Sequence, residues 1–188
     1  MVDFLLANRG HFATWDPPVP ESQDTTQYWH SQTLRSLMEF QSGSTVRFVL
    51  SLRDDPARIF GTANFFQISR GPFQAAILDY KIAANNEGKG LMHEALQTTI
   101  CYAFEDLRLH RIHANYLPSN VRSGRLLARL GFAIEGYAKD YLFINDAWRD
   151  YMLTSLTNCR FNPDWLQYEP AKRYTNASAQ RFLAQSIA

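Results

Sequence analysis

The sequence predicts a mixed α/β fold built on one sheet, and three observations carry that reading. Three apolar, β-rich segments follow one another between residues 45 and 82. The third leads through Gly88-Lys89-Gly90 into an amphipathic helix. A further strand, a helix and a hairpin come next, so strands precede, alternate with and follow helices. With 188 residues, 46% hydrophobic and 20% charged, the chain suits one globular domain with a sizeable core. That domain is placed at 1–160, and 161–188 are read as a tail.

Residues 1–9 read as the end of a helix closed by Gly10. Trp15-Asp16-Pro17-Pro18-Val19-Pro20 cannot be helical and is a stiff loop. A helix over 24–41 shows an apolar side of Tyr28, Leu34, Leu37, Met38 and Phe40. Strands are expected at Thr45–Leu52, Arg58–Ser69 and Phe73–Ile82, with turns at Asp54-Asp55-Pro56 and Arg70-Gly71-Pro72. The helix at 89–107 places Met92, Ala95, Leu96, Ile100, Ala103, Phe104 and Leu107 on one face. Arg111–Leu117 is a strand, broken by Pro118-Ser119-Asn120. Those residues cap a helix near 121–130 that ends at Gly131. Ala133–Ile144 and Trp148–Leu156 pair around Asn145-Asp146. In the tail, Ala179, Phe182, Leu183 and Ile187 suit one short amphipathic helix.

A net charge of +1 gives no footprint for nucleic acid. Cys101 and Cys159 form no zinc or disulfide pattern, which suits a reducing cytoplasm. The first residues resemble neither a signal peptide nor a membrane span. Asn176-Ala177-Ser178 is a formal glycosylation sequon without a secretion signal to give it meaning. His110 and His113, three apart on a strand, point to opposite faces, so no metal is expected.

The glycine turn is the most informative stretch. Glycines let backbone approach a phosphate, and the unpaired N–H groups of a helix's first turn point at it. A Walker A loop is excluded because Leu91 follows Gly90 where Lys and Ser or Thr are needed. A Rossmann fingerprint is excluded because there is no third glycine.

The turn resembles the pyrophosphate loop of the Gcn5-related N-acetyltransferases (GNAT), written [Gln/Arg]-x-x-Gly-x-[Gly/Ala]. Here it reads Asn85-Asn86-Glu87-Gly88-Lys89-Gly90, with Asn85 departing from the usual first residue. A second segment, Ala114 to Phe132, resembles the family's strand, Asn-x-x-Ser, helix and Gly-Phe run. Glu135 to Tyr141 is similar to its next strand, and the likeness spans roughly 45–157. Asn64-Phe65, Arg70-Gly71, His110-Arg111-Ile112, Ala114-Asn115-Tyr116 and Trp148-Arg149-Asp150 look most like the RimJ-like ribosomal-protein-alanine N-acetyltransferases. The resemblance implies the GNAT acyl-CoA N-acyltransferase fold. The family opens with a strand and the first half of a helix, and this chain starts inside that helix. A sheet without its first strand would expose the next one.

The resemblance implies acetyl-coenzyme A as donor. The strand Leu78–Ile82 would splay from Arg111–Leu117 and offer backbone groups to the pantetheine arm, through Leu78, Asp79, Tyr80 and Ile82. Glu87, Gly88, Lys89, Gly90, Leu91 and Met92 would hold the pyrophosphate, and Asn115, Asn120 and Ser123 would contact the cofactor arm. Asn120 also suits a plain helix cap. Such enzymes work by proximity and by donors at the developing oxyanion. Ser123 would protonate the departing thiolate, and Tyr141, Asp140 and Tyr116 are proton relays. By the resemblance, many members carry a Glu one or two residues before the strand's Gly-Tyr or Asp-Tyr pair, where this chain has Ala76 and Ile77. An α-amine with a pKa near 7.8 is roughly a quarter neutral in the cytoplasm, whereas a lysine at about 10.4 is only about 0.1% neutral. The missing Glu therefore favours an N-terminal amine as acceptor.

Trp15, Trp29 and Phe65 suit either an acceptor groove or the core, Trp148-Arg149-Asp150 suits a hairpin anchor, and Arg122, Arg125 and Arg129 suit a solvated helix face. Cys101 sits mid-helix, where nothing lowers its pKa, which disfavours an acetyl-cysteine. The expected function is transfer of acetyl to the N-terminal amine of a protein, with a small-subunit ribosomal protein as the expected acceptor, by a cytoplasmic monomer or homodimer. Acetylation of a small amine and a non-catalytic coenzyme A-binding or ribosome-assembly module remain as alternatives.

Overall fold

The fold was analysed in a computed structural model, which describes residues 1–17 and 21–167. Among the described residues four helices and six strands follow one another: α1 (Val2–Phe12), α2 (Thr26–Gln41), β1 (Val46–Leu52), β2 (Asp55–Ser69), β3 (Ala75–Ile82), α3 (Leu91–Glu105), β4 (Arg111–His113), α4 (Val121–Arg129), β5 (Ala133–Ile144) and β6 (Ala147–Thr157). Short 3-10 turns lie at Glu21–Asp24, Ala84–Asn86 and Pro163–Gln167. The four expected tail residues of a short helix, Ala179, Phe182, Leu183 and Ile187, lie outside the described residues.

The strands form one sheet in the order β1-β2-β3-β4-β6-β5, and every neighbouring pair is antiparallel except β3 with β4. A parallel neighbour needs a crossover, and the glycine loop with α3 supplies it. The core lies between the sheet and α3. Leu96, Ala103 and Leu107 are fully covered there, against Ala63, Phe65 and Ile112 from the strands. The fold is thus of the expected α/β class, and its mixed sheet closes on a single main core.

Several expectations are corrected. Gly10 does not end the first helix, which runs on to Phe12 because Phe4 and Phe12 close a small apolar cluster with Ala83. Pro56 lies within β2 rather than in the preceding turn. The strand expected at Arg111–Leu117 pairs regularly over three residues only, with Tyr116 making an isolated bridge to Met152. The apolar side of α2 does not enter the core: Leu34, Leu37 and Met38 are 52%, 49% and 63% exposed. Only Phe40 of that set packs on the main core. The helix is tied to the sheet by charge instead, through Glu39 and Arg47 of β1, and Arg47 holds the Glu39 carboxyl below its usual range.

Candidate active site

The site begins where two strands part. β3 and β4 are in register at Ala75 with Arg111, Ala76 with Ile112 and Ile77 with His113, and the pairing stops there. Beyond it, β4's chain turns to β6, where Ala114 N–H donates to Thr154 and Tyr116 exchanges backbone bonds with Met152. β3 continues alone toward the glycine loop on that side. Its other edge stays paired with β2 as far as Ala83, whose N–H donates to the Phe60 carbonyl at 2.8 Å. Antiparallel pairing alternates backbone direction, so Asp79 and Lys81 point their backbone at β2 while Leu78, Tyr80 and Ile82 point theirs into the gap. The expected cofactor contacts therefore divide. The Leu78 carbonyl and the backbone groups of Tyr80 and Ile82 face the opening, and those of Asp79 do not.

At the end of β3 the chain makes a 3-10 turn and a left-handed step at each glycine, with φ of 73° at Gly88 and 81° at Gly90. A side chain is disfavoured at such angles, which is why glycines occupy both positions. No protein atom lies within 4 Å of where a Cβ would sit on either, so the loop borders open space. Gly90 starts α3 without a side-chain cap. Leu91, Met92 and His93 occupy the first turn, where amides have no intrahelical acceptor. Donors, helix dipole and clear space together fit an anionic diphosphate.

The loop is braced from both sides by residues that sequence reasoning missed. The buried Asn8 of α1 accepts from Ala84 N–H at 2.9 Å and donates to the Phe4 carbonyl at 2.8 Å. Glu87 ion-pairs with Arg122 of α4 and faces His11 of α1 at 3.4 Å. Neither contact has a local sequence signal, since the partners lie 76 and 35 residues apart.

Ser123 sits in the first turn of α4, where its N–H donates to Asn120 Oδ1 at 3.1 Å. Asn120 is thereby the helix cap that its neighbours suggested. The Ser123 hydroxyl pairs with the Tyr80 hydroxyl. Burial pushes the Tyr80 phenol up to about 12, despite the Ser123 hydrogen bond. Two neutral hydroxyls thus stand together beside the gap. Gly124 leaves room for Tyr116, whose ring lies 2.9 Å from the position a Cβ would take.

The other candidates sit apart from this pair. Asn115 accepts from Thr154 N–H at 3.2 Å and donates to the Tyr141 hydroxyl at 3.0 Å, so its amide is engaged within the sheet. Tyr141 is exposed and packs on Tyr151. Asp140 occupies a bulge in β5 with φ 49°, and its N–H donates to Asp150 at 2.9 Å. Its side chain is exposed. Lys89 shares a shallow pocket with Asn85, Asn86, Asp55 and Arg58. Phe65 is fully buried in the core, and Trp29 donates to the Gln23 carbonyl. Trp148 stacks edge-on against Phe143 across the hairpin. His110 packs on Phe161 and His113 on Phe73, and among the described residues no three His, Cys, Asp or Glu converge on a metal-sized space. Burial and the neighbouring Glu105 push the Cys101 thiol up.

The parted pair of parallel strands, with a glycine-rich helix start at its end, makes an open cradle suited to an extended, anionic ligand. The family model for the acetyltransferase (GNAT) domain matches residues 2–133, and the chain belongs to that family. It is an acetyltransferase. It is 43% identical over 165 residues, 88% of this chain and 82% of the other, to the [ribosomal protein uS5]-alanine N-acetyltransferase of Escherichia coli. The crystal structure of ribosomal-protein-S5-alanine acetyltransferase from Vibrio fischeri superposes with a TM-score of 0.83 at 36% identity, covering 86% of this chain and 88% of that one. RimJ of Mycobacterium smegmatis, in complex with CoA-disulfide, superposes with a TM-score of 0.77 at 28% identity over 94% and 82%.

Proposed function

We propose that this protein transfers acetyl from acetyl-coenzyme A to the α-amine of an N-terminal alanine, with ribosomal protein uS5 as acceptor in the cytoplasm. The observation that carries the reading is the 43% identity, over 88% of the chain, to an enzyme named for that reaction. The geometry supports it. The glycine-loop amides suit the diphosphate, the outward backbone of Leu78, Tyr80 and Ile82 suits the pantetheine amides, and the Tyr80–Ser123 pair suits the leaving sulfur.

Bound acetyl-coenzyme A supplies an activated thioester. The chain's own residues place that thioester, exclude competing orientations and keep a hydroxyl proton at Ser123 Oγ or Tyr80 Oη for the sulfur to take. Among the described residues no helix is long and apolar enough to cross a membrane.

The test is acetylation of purified, unacetylated uS5 followed by intact-mass and fragment analysis. One acetyl group on the N-terminal residue is expected. Equal modification of lysine side chains would sink the α-amine reading, and preference for spermidine over the protein would replace it with a small-amine reading.

A further inference from the structure

Ala76 and Ile77, the last residues of β3 paired with β4, are apolar and offer no carboxylate. The only carboxylate on β3 is Asp79, on the stretch of the strand that borders the gap. Asp79 is the second residue past the last paired position, Ile77 with His113. Leu78 is buried in the core, so strand alternation sends the Asp79 side chain to the opposite face. There it accepts from Asn64 Nδ2 of β2 at 3.2 Å. Lys81 on the same face of β3 is already paired with Asp16, from the turn after α1, and lies over the Phe12 ring. Tyr151 of β6 packs on Tyr141, and burial together with the nearby charges of Asp16, Tyr141 and Asp79 raises its phenol pKa. Three elements thus converge on one half-buried carboxylate whose nearest cation is neutralised by another acid.

We propose that Asp79 anchors the ammonium of the acceptor at the mouth of the gap and takes the proton that frees its lone pair. This rests on the reading that the transferred acetyl goes to an amine, and not on which amine. Lys81 and Asp16 cancel, so Asp79 when ionised leaves the face one negative charge, which matches a single ammonium group. Burial raises the Asp79 carboxyl above its usual range even with Lys81 and Asn64 acting to lower it. A carboxylate with raised proton affinity is a better base toward an ammonium. The step balances: the –NH3+ gives one proton to Asp79, and the lone pair attacks the thioester carbonyl carbon. The N–C bond forms and the C–S bond breaks. The nitrogen's surplus proton is matched by one gained at sulfur, and Asp79 returns its proton to water.

The experiment compares wild type with Asp79→Asn, which keeps the Asn64 neighbour and removes the charge. Acceptors are unacetylated uS5, an alanine-terminated peptide and spermidine. At pH 7 the kcat/KM of Asp79→Asn is expected to fall about 100-fold or more, with acetyl-coenzyme A affinity within about twofold. The deficit should shrink toward pH 9, where the acceptor arrives as neutral amine. Lys81→Gln removes a cation that lowers the Asp79 pKa, so it should move the acidic limb of the kcat/KM profile to higher pH. It tests the idea even if Asp79→Asn fails to fold. A deficit that does not change with pH, activity of Asp79→Asn within about threefold of wild type, or an unmoved limb in Lys81→Gln would overturn the role of Asp79. Wild-type turnover of spermidine alone would overturn the proposed acceptor and leave Asp79 tested on spermidine. No wild-type turnover of any of the three would overturn both.

Discussion

Tyr80 keeps its proton throughout the range where the protein works, because burial holds its phenol near 12. The unfolded chain titrates it near 10. Below about pH 10 both states hold the proton, and above it the unfolded state loses it first. Stability from this residue is therefore intact below pH 10 and lost as pH rises through about 12, by roughly 2–3 kcal/mol. Tyr80→Phe should remove that alkaline component from a pH series of chemical denaturation curves, and an unchanged slope would show that the phenol is not buried as described. Ser123→Ala should lower kcat by roughly 10- to 100-fold while leaving acetyl-coenzyme A affinity nearly unchanged, as expected of a proton donor to the leaving group. Gly88→Asp puts a side chain on a left-handed residue and a negative charge against the diphosphate amides. Calorimetric titration should show acetyl-coenzyme A binding weakened by about 100-fold or more, with the circular dichroism of the fold retained. Undiminished affinity would remove the diphosphate assignment.

At the scale of elements, the glycine loop depends on the helices that hold it. α1 fixes its near end through Asn8, and α4 reaches its middle through the Arg122–Glu87 pair. Asn8→Ala leaves the Ala84 amide without its acceptor and opens a small void beside Phe4. A loss of about 1–3 kcal/mol in unfolding free energy is expected, with weaker acetyl-coenzyme A binding measured alongside. The exposed Arg122 contributes little to stability by comparison. The paired strands impose a similar constraint at Gly61, where a Cβ would lie 2.7 Å from the Lys81 carbonyl and 3.3 Å from both Leu50 and Met92. Gly61→Ala must push β2 off β3, costing about 1–3 kcal/mol. Thermal melts should fall by several degrees, since about 2–4 °C accompanies each kcal/mol at this chain length. An unshifted melt would mean that the strands separate there without strain.

Over the whole molecule, the class of fold and the glycine cradle were legible in the sequence because both are local. Strand and helix periodicities, Asn120 as a cap, Gly131 as a stop and the glycines at 88 and 90 each follow from a few neighbouring residues. Burial does not: α2 carries an amphipathic pattern, yet Leu34, Leu37 and Met38 stay outside while Phe40 alone reaches the core. Nor does any local pattern give the short pairing of β4, which ends where its chain turns away to β6. Contacts across many residues followed the same rule: Tyr80 with Ser123, Glu87 with Arg122, Asn8 with Ala84, and Asp16 with Lys81 beside Asp79. The elements and the glycine turn are legible from local sequence, since these obey steric and hydrogen-bonding limits acting over a few residues. Tertiary pairing settles which backbone groups of β3 face the gap and brings Asp16 to Lys81 and Asn64 to Asp79, because strand pairing sets direction and residues far apart in sequence meet only in the folded chain.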